Sequence, residues 1–139
     1  MTDTLSKRER SARMGLVKSR DTKPELVVRR LTFRLGYRYR LHMKSLPGCP
    51  DLVFTARRKV ILVHGCFWHR HPNCRRASTP VTNSQYWARK FTSNVDRDGR
   101  TRSHLLELGW KVLIVWECEI RNESNLRRRV LGFLSRAHP

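Results

Sequence analysis

The stretch Val60-Ile61-Leu62-Val63-His64 is apolar without interruption up to its last residue, which predicts a strand buried on both faces near the centre of a sheet. A second run of the same kind, Val112-Leu113-Ile114-Val115-Trp116, lies later in the chain. Between the two runs, residues 84–108 have a helical pattern that ends at Gly109. A strand, a helical crossover and a second strand predict a right-handed βαβ unit whose strands are parallel neighbours.

Shorter patterns complete the predicted fold. A strand at residues 51–54, followed by a short turn, forms a hairpin with the central strand, and the alternation at residues 37–41 predicts a strand with one solvated face. Capping residues and a glycine stop predict a first helix over residues 21–36, and residues 124–134 predict a last amphipathic helix. The order α-β-β-β-α-β-α predicts an α/β fold with a small mixed central sheet flanked by helices on both faces.

The charge of the chain indicates a polyanionic partner. Its 139 residues contain 30 Lys and Arg against 11 Asp and Glu, a formal net charge of +19. With 39% hydrophobic residues the chain is too apolar for a disordered basic tail, so we expect one folded, nucleic-acid-binding domain at residues 21–139, preceded by a basic, DNA-contacting leader at residues 1–20. The charge also permits an RNA partner. No apolar run approaches a membrane span and no signal core is present, so we expect a soluble, cytoplasmic protein.

Residues 64–74 are dense in potential metal ligands, with two Cys and three His. Cys66, His71 and Cys74 are spaced to turn a short loop around one tetrahedral ion, and zinc is the default ion for mixed thiolate and imidazole ligands. Cys118 is the natural fourth ligand, because it and Cys66 each lie two residues beyond one of the two apolar strands. Free cysteines packed as small core hydrophobes are the alternative.

A catalytic site is expected elsewhere, because four protein ligands leave a zinc ion no position for substrate. His64 and His69 remain free near the end of the central strand, and Asp51 begins the neighbouring strand. Together with Glu25 on the first helix, these side chains would bind Mg²⁺ and move protons beside a phosphodiester. On its own, however, the Pro50-Asp51 dipeptide is a frequent turn signal.

Two other classes of function use parts of the same set. A zinc-stabilised DNA-binding module needs the charge and the cysteines, but it has no reason to place Asp51, His64 and His69 together. A zinc hydrolase needs an open ligand position on zinc, and Cys118 as fourth ligand argues against it.

These residues belong to stretches that resemble the very short patch repair (Vsr) endonucleases over nearly the whole chain. The matching pieces are Met14, KSRDTKPE at 18–25, LPGCPD at 46–51, HGCFWHRH at 64–71, NVDRD at 94–98 and LGWKVLIVWEC at 108–118. The family cuts one DNA strand beside a T:G mismatch left by deamination of 5-methylcytosine. The resemblance therefore implies a monomeric mismatch endonuclease with a restriction-endonuclease-like fold, a structural zinc ion and catalytic Mg²⁺.

The resemblance also implies roles for individual residues. Mg²⁺ would be held by Asp51 and the backbone carbonyl of Val63, and Glu25 would act through water on the metal. His69 would be the general base and His64 its partner at the scissile phosphate. The zinc ligands would be Cys66, His71, Cys74 and Cys118. Position 63 carries Val where the resemblance leads us to expect Thr, and the usual acid and lysine of the wider PD-(D/E)xK nucleases are absent after Asp51.

The same resemblance implies DNA-binding residues. These are Met14, Phe67, Trp68, Trp87, Lys90 and Asn94. The three rings would wedge into the base stack, and Met14 would approach from the other groove. Lys90 and Asn94, one helical turn apart, would read the mismatch. Two adjacent bulky rings cannot both point inward from an extended strand, which favours exposure of Phe67 and Trp68. Packing of these rings in the core is the alternative.

Overall fold

Four strands form one mixed sheet and three helices pack around it within residues 21–136, which the computed structural model describes. In chain order the elements are α1 (Lys23–Arg34), β1 (Arg40–Leu41), β2 (Leu52–Phe54), β3 (Lys59–His64), α2 (Ser84–Glu107), β4 (Lys111–Trp116) and α3 (Glu123–Ser135), with short 3-10 turns at Thr55–Arg57 and Glu117–Arg121. This order confirms the α-β-β-β-α-β-α prediction. The predictions for the leader and for Met14 lie outside the described residues.

The sheet order is β1-β2-β3-β4. The first two pairs are antiparallel, and β3 pairs with β4 in parallel from Lys59 opposite Lys111 to His64 opposite Trp116. The two apolar runs are therefore parallel neighbours that end at the same edge, as predicted. β1 is shorter than the predicted strand at residues 37–41, because its partner β2 has only three residues and two of them pair with it.

The helices cover both faces of the sheet, which confirms the predicted layering. On one face, α1 and α3 pack against alternate residues of the central strands; this core contains Val28, Leu31, Leu52, Phe54, Ile61, Val115, Leu126, Val130 and Leu134. On the other face lie Val53, Val60, Leu105 and Trp110. Burying each such side chain contributes about 1.5–3 kcal/mol. The sheet is thereby held in place, and the candidate site lies at the end of the sheet where β3 and β4 finish and β2 begins. Within the described residues, no helix is long and apolar enough to cross a membrane.

Local signals fix the start of α1. The Thr22 side chain accepts a hydrogen bond from the Glu25 backbone N–H at 3.4 Å, and Pro24 occupies the first turn. Gly36, with φ of +94°, adopts the left-handed conformation that follows the helix. The cap thus places Glu25 in the first turn, at the end of the helix nearest the functional side chains.

Candidate active site and metal-binding cluster

Three groups of side chains bring potential metal-ligand atoms within 4.8 Å of one another in the part of the chain that the structure describes. They are Cys66–His71–Cys74–Cys118, His64–His69–Asp98 and Glu25–His42–Asp51. The second and third groups line one open pocket of about 440 Å³. The sequence-predicted ligands and catalytic residues are therefore brought together in two places, a thiolate-imidazole cluster and a pocket.

The Cys and His cluster has the dimensions of a tetrahedral site. His71 Nδ1 lies 3.7 Å from Cys66 Sγ and 3.5 Å from Cys118 Sγ. Zinc bonds of ~2.3 Å to sulfur and ~2.0–2.1 Å to nitrogen at tetrahedral angles separate these atoms by about 3.6 Å. The four cysteines of the chain form no disulfide. The in-register ends of β3 and β4 explain how thiols so distant in sequence meet.

The surroundings of this cluster shift the pKa values of its three thiols. Burial raises the pKa of Cys66 to about 12 and also raises the pKa of Cys118, whereas a backbone hydrogen bond from Arg76 lowers the pKa of Cys74. Because thiolates are the metal-binding form, a cation bound by this cluster would supply the stabilisation that burial removes. The His71 ring stacks on Trp116 with centroids 4.2 Å apart, which holds its orientation.

Two carboxylates face the pocket from different elements. Glu25 is buried, and its Oε2 accepts from Arg29 at 2.9 Å and from the Asp21 backbone N–H at 3.0 Å. Asp51 Oδ2 accepts from the Val63 backbone N–H at 2.7 Å. Burial, with a smaller contribution from neighbouring Glu25, raises the pKa of Asp51 to about 6. A buried and a half-buried acid in one pocket are a favourable position for a divalent cation.

Opposite the carboxylates, two imidazoles stack on each other. The rings of His64 and His69 lie 3.9 Å apart at an interplanar angle of 7°. His69 Nδ1 lies 2.6 Å from Asp98 Oδ2, and since a carboxylate only accepts, Nδ1 is the donor and the lone pair of the neutral ring is on Nε2. Burial lowers the pKa of His64 to about 4, so this ring is neutral near pH 7. The arrangement offers a base held in one tautomer beside an uncharged ring.

Asp98 and His42 are functional-site residues that the sequence patterns did not single out. Asp98 falls in the 94–98 stretch and lies one helical turn after Asn94, so the same-face rule was the available signal. His42 follows β1 directly and its backbone N–H donates to the Asp51 carbonyl at 3.4 Å. Only the register of the β1–β2 pair reveals that His42 faces Asp51.

Helix α2 closes the other side of the pocket. Gly48, in the loop before Asp51, has φ of +72°, and a Cβ there would lie 2.3 Å from a methyl carbon of Thr101 on α2. Glycine is required here because of its positive φ and because a Cβ would lie too close to Thr101. The loop that carries Asp51 is thereby pressed against the helix that carries Asp98.

An aromatic cluster flanks the pocket. The Phe67 ring contacts the rings of Trp68, Trp87 and Phe91 with centroids 4.9, 5.8 and 5.3 Å apart. Phe67, Trp68 and Trp87 are half-buried, so each ring packs on one side and remains accessible on the other. The sequence left exposure and core packing of these rings as alternatives, and in the structure each ring is partly exposed and partly packed.

The two polar residues on α2 differ in their surroundings. Lys90 is exposed, whereas Asn94 is buried. The Asn94 amide donates to the Trp68 carbonyl at 3.0 Å, and its oxygen accepts from Arg97. In this structure Asn94 therefore supports the backbone of the aromatic cluster.

Comparison with known proteins gives a consistent group of relatives. The family model described as "DNA mismatch endonuclease Vsr" matches residues 2–76. The chain is similar to a Type II nicking enzyme of Xanthomonas oryzae pv. oryzae, with 46% identity over 96% of this chain and 98% of the relative. It is also similar to the DNA mismatch endonuclease Vsr of Escherichia coli, with 43% identity over 94% of this chain and 83% of the relative. A Type II nicking enzyme of Neisseria meningitidis is 39% identical over 94% of this chain and 92% of the relative.

Proposed function

This chain belongs to the Vsr family of DNA mismatch endonucleases, and we propose that it nicks one strand of double-stranded DNA beside a T:G mismatch in a Mg²⁺-dependent reaction. It is a DNA endonuclease that acts on phosphodiester bonds. A T:G pair is the product of 5-methylcytosine deamination, so the nick would start very short patch repair. The observation that carries the proposal is the single pocket in which Glu25 and Asp51 face His64 and the His69–Asp98 pair.

Asp51 and the backbone carbonyl of Val63 are proposed to hold Mg²⁺. In an extended strand the N–H and C=O of one residue point to the same side, so the Val63 N–H bond to Asp51 also directs its carbonyl toward this carboxylate. This position of the carbonyl does not depend on a Thr side chain at position 63. Mg²⁺ bound there would neutralise negative charge that develops on the scissile phosphate.

His69 is proposed to take the proton from the attacking water. The Asp98 carboxylate fixes the Nδ1 proton and stabilises the imidazolium that forms, which is the role a buried acid has beside a catalytic histidine. His64 stacks on His69 and stays neutral, so it contributes an uncharged hydrogen-bonding ring at the phosphate. Glu25, already paired with Arg29, orients water at the carboxylate side.

Zinc is proposed for the Cys66, His71, Cys74 and Cys118 cluster. The distances and the mixed sulfur and nitrogen donors fit this ion, and four protein ligands make the site structural. It would tie the loop after β3 to the end of β4. The loop carries both His69 and the two adjacent aromatic rings, so zinc would position the base and the aromatic cluster together.

Recognition of the mismatch is proposed to combine charge, wedging and polar contacts. The net charge of +19 provides affinity for phosphates without sequence information. Phe67, Trp68 and Trp87 would unstack the DNA at the mismatch, where a wobble pair makes deformation cheaper. Lys90 and Asn94 would contact the bases, with Asn94 released from its internal bonds on binding.

The fold is proposed to be restriction-endonuclease-like. The support is the position of Asp51 at the start of β2, in a hairpin with the central β3 of a mixed sheet with helices on both faces. We further propose that the enzyme acts as a monomer in the cytoplasm, where the DNA of its bacterial relatives lies.

The decisive experiment replaces Asp51 by Ala and compares nicking and binding on labelled duplexes that carry T:G, T:A or C:G at one site. We expect the parent to nick only the T:G duplex and to require added Mg²⁺. Asp51→Ala should lose nicking and keep T:G binding within about tenfold, because it removes a metal ligand and leaves the base contacts.

Two controls separate the alternatives. Glu107→Ala alters an exposed acid at the far end of α2 and should nick at the parental rate. Nicking by Asp51→Ala at the parental rate would refute the proposed site. Binding without nicking by the parent, in any divalent metal, would favour the zinc-stabilised binding module instead.

A further inference from the structure

The pocket contains an imidazole that the proposed reaction does not use. His42 is directed into it by the β1–β2 pairing, and its side chain is only 12% exposed. Its Nε2 lies 3.3 Å from Glu25 Oε2 and 3.8 Å from Asp51 Oδ1. A nitrogen that can bind a metal ion therefore lies beside the two carboxylates of the proposed cation site.

The hydrogen bonds of Glu25 and Asp51 show which carboxylate oxygen can bind a cation together with His42. Glu25 Oε2 already accepts from Arg29 and from the Asp21 backbone N–H. Asp51 uses Oδ2 for the Val63 N–H, which leaves Oδ1 directed toward His42. In this structure His42 Nε2 donates to Glu25 Oε2, because a carboxylate only accepts, and a cation between Nε2 and Asp51 Oδ1 would take the place of that proton.

The separation of these atoms suits two ligands of one divalent cation. Bonds of ~2.1 Å to each atom of an octahedral site place neighbouring ligands about 3.0 Å apart and opposite ligands about 4.2 Å apart. The observed 3.8 Å lies between these limits. A cation can therefore contact both atoms after a shift of less than about 1 Å.

We propose that His42 Nε2 is a direct ligand of the catalytic cation, beside Asp51 Oδ1, and that this nitrogen makes the site prefer Mn²⁺ over Mg²⁺. The inference rests on the proposed function, in which Asp51 holds the cation. Mg²⁺ favours oxygen ligands, whereas an imidazole ligand increases affinity for transition metals. On binding the cation, the ring would give up its Nε2 hydrogen bond to Glu25 and carry its proton on Nδ1, while Glu25 stays paired with Arg29.

Pulsed electron paramagnetic resonance of Mn²⁺ tests this directly, with the full zinc-loaded chain and Mn²⁺ as the only added metal. The parent should show a ¹⁴N coupling to bound Mn²⁺, and His42→Asn should lose it. Asn tolerates the left-handed backbone at this position, where φ is +48°, but is too short to reach Asp51 Oδ1. The matched control His104→Asn changes an exposed histidine of α2 outside the pocket and should keep the coupling.

Titrations supply the second readout. Mn²⁺ affinity should fall at least tenfold in His42→Asn, while Mg²⁺ affinity should change less than threefold. Zinc content and melting temperature establish that each variant is folded. If His42→Asn is unstable, His42→Gln replaces it, and the parent is labelled with ¹⁵N-histidine. The label should replace the ¹⁴N pattern with a ¹⁵N pattern in the parent, and His42→Gln should show neither.

The results that would overturn the proposal are distinct from failure of the proposed function. A parent chain that binds no Mn²⁺, shows no nitrogen coupling, or shows the same coupling after His42 is replaced, refutes the His42 ligand. If that parent still nicks T:G duplexes with Mg²⁺, the proposed function stands. A parent that nicks with neither metal refutes the proposed function itself.

Discussion

Replacing Asp98 by Asn tests whether His69 takes a proton in the reaction. The Asp98 Oδ2 to His69 Nδ1 contact is 2.6 Å, and the two side chains are 25% and 30% exposed. The carboxylate holds the ring proton on Nδ1. An Asn amide can donate to Nδ1 instead, which moves the proton to Nε2 and removes the lone pair that acts as base.

The expected magnitude follows from the geometry. A hydrogen bond to a charged partner contributes about 1.5–3 kcal/mol, and each 1.36 kcal/mol is a factor of ten in rate, so lost stabilisation of the imidazolium alone slows nicking roughly 10- to 150-fold. The wrong tautomer adds to this loss. A general base contributes about 10²- to 10⁴-fold in total, and we expect the decrease for Asp98→Asn to fall in that range.

The assay is single-turnover nicking of an end-labelled duplex with one T:G pair, at saturating enzyme and Mg²⁺, so that the chemical step is observed. Asp96→Asn is the matched control, because Asp96 lies two residues earlier on α2 and is exposed. Binding measured by fluorescence anisotropy should change less than threefold in both variants. A nicking rate for Asp98→Asn within threefold of the parent would refute the assignment of His69 as a base held by Asp98.

Three further predictions concern metal, stability and mismatch preference. Cys118→Ala should release zinc and lower the melting temperature, since a structural metal contributes folding free energy. Elemental analysis that still finds one zinc per chain would contradict the ligand set, and Cys49→Ala, outside the cluster, should keep its zinc. Because burial raises the pKa of Asp51 from 3.8 to about 6, the native state binds this proton more tightly than the unfolded chain, and stability falls as pH rises between these values. Above pH 6 the raised pKa lowers the free energy of unfolding by at most about 3 kcal/mol. Without added Mg²⁺, Asp51→Asn should therefore melt at a higher temperature than the parent at pH 7, and by a smaller margin at pH 4. The same difference in melting temperature at both pH values would contradict this. Trp68→Ala should reduce the ratio of T:G to T:A binding more than it reduces T:A binding, and an unchanged ratio would leave the ring a purely packing role.

Much of the fold was predictable because its strongest signals are local. The uninterrupted apolar runs at 60–64 and 112–116, with one long helical segment between them, predicted two parallel neighbours, and β3 and β4 pair in that way. That single topological step also placed Cys118 beside Cys66, although the two are far apart in sequence. Side-chain periodicity and caps depend on residues two to four positions apart, and these can be read without knowing the tertiary structure.

The roles of His42 and Asp98 required the tertiary structure. His42 faces Asp51 only because β1 and β2 pair in one particular register, and a slip of one residue would turn its side chain to the other face of the sheet. Asp98 reaches His69 across 29 residues because the loop at Gly48 and the loop after β3 both pack against α2. Asn94 likewise has suitable chemistry for a base contact, but its position beneath Trp68 buries it. The sequence by itself determined which elements form and which ligand types they carry, whereas packing between distant elements decided which side chains share the pocket, since register and helix docking depend on contacts that no local pattern encodes.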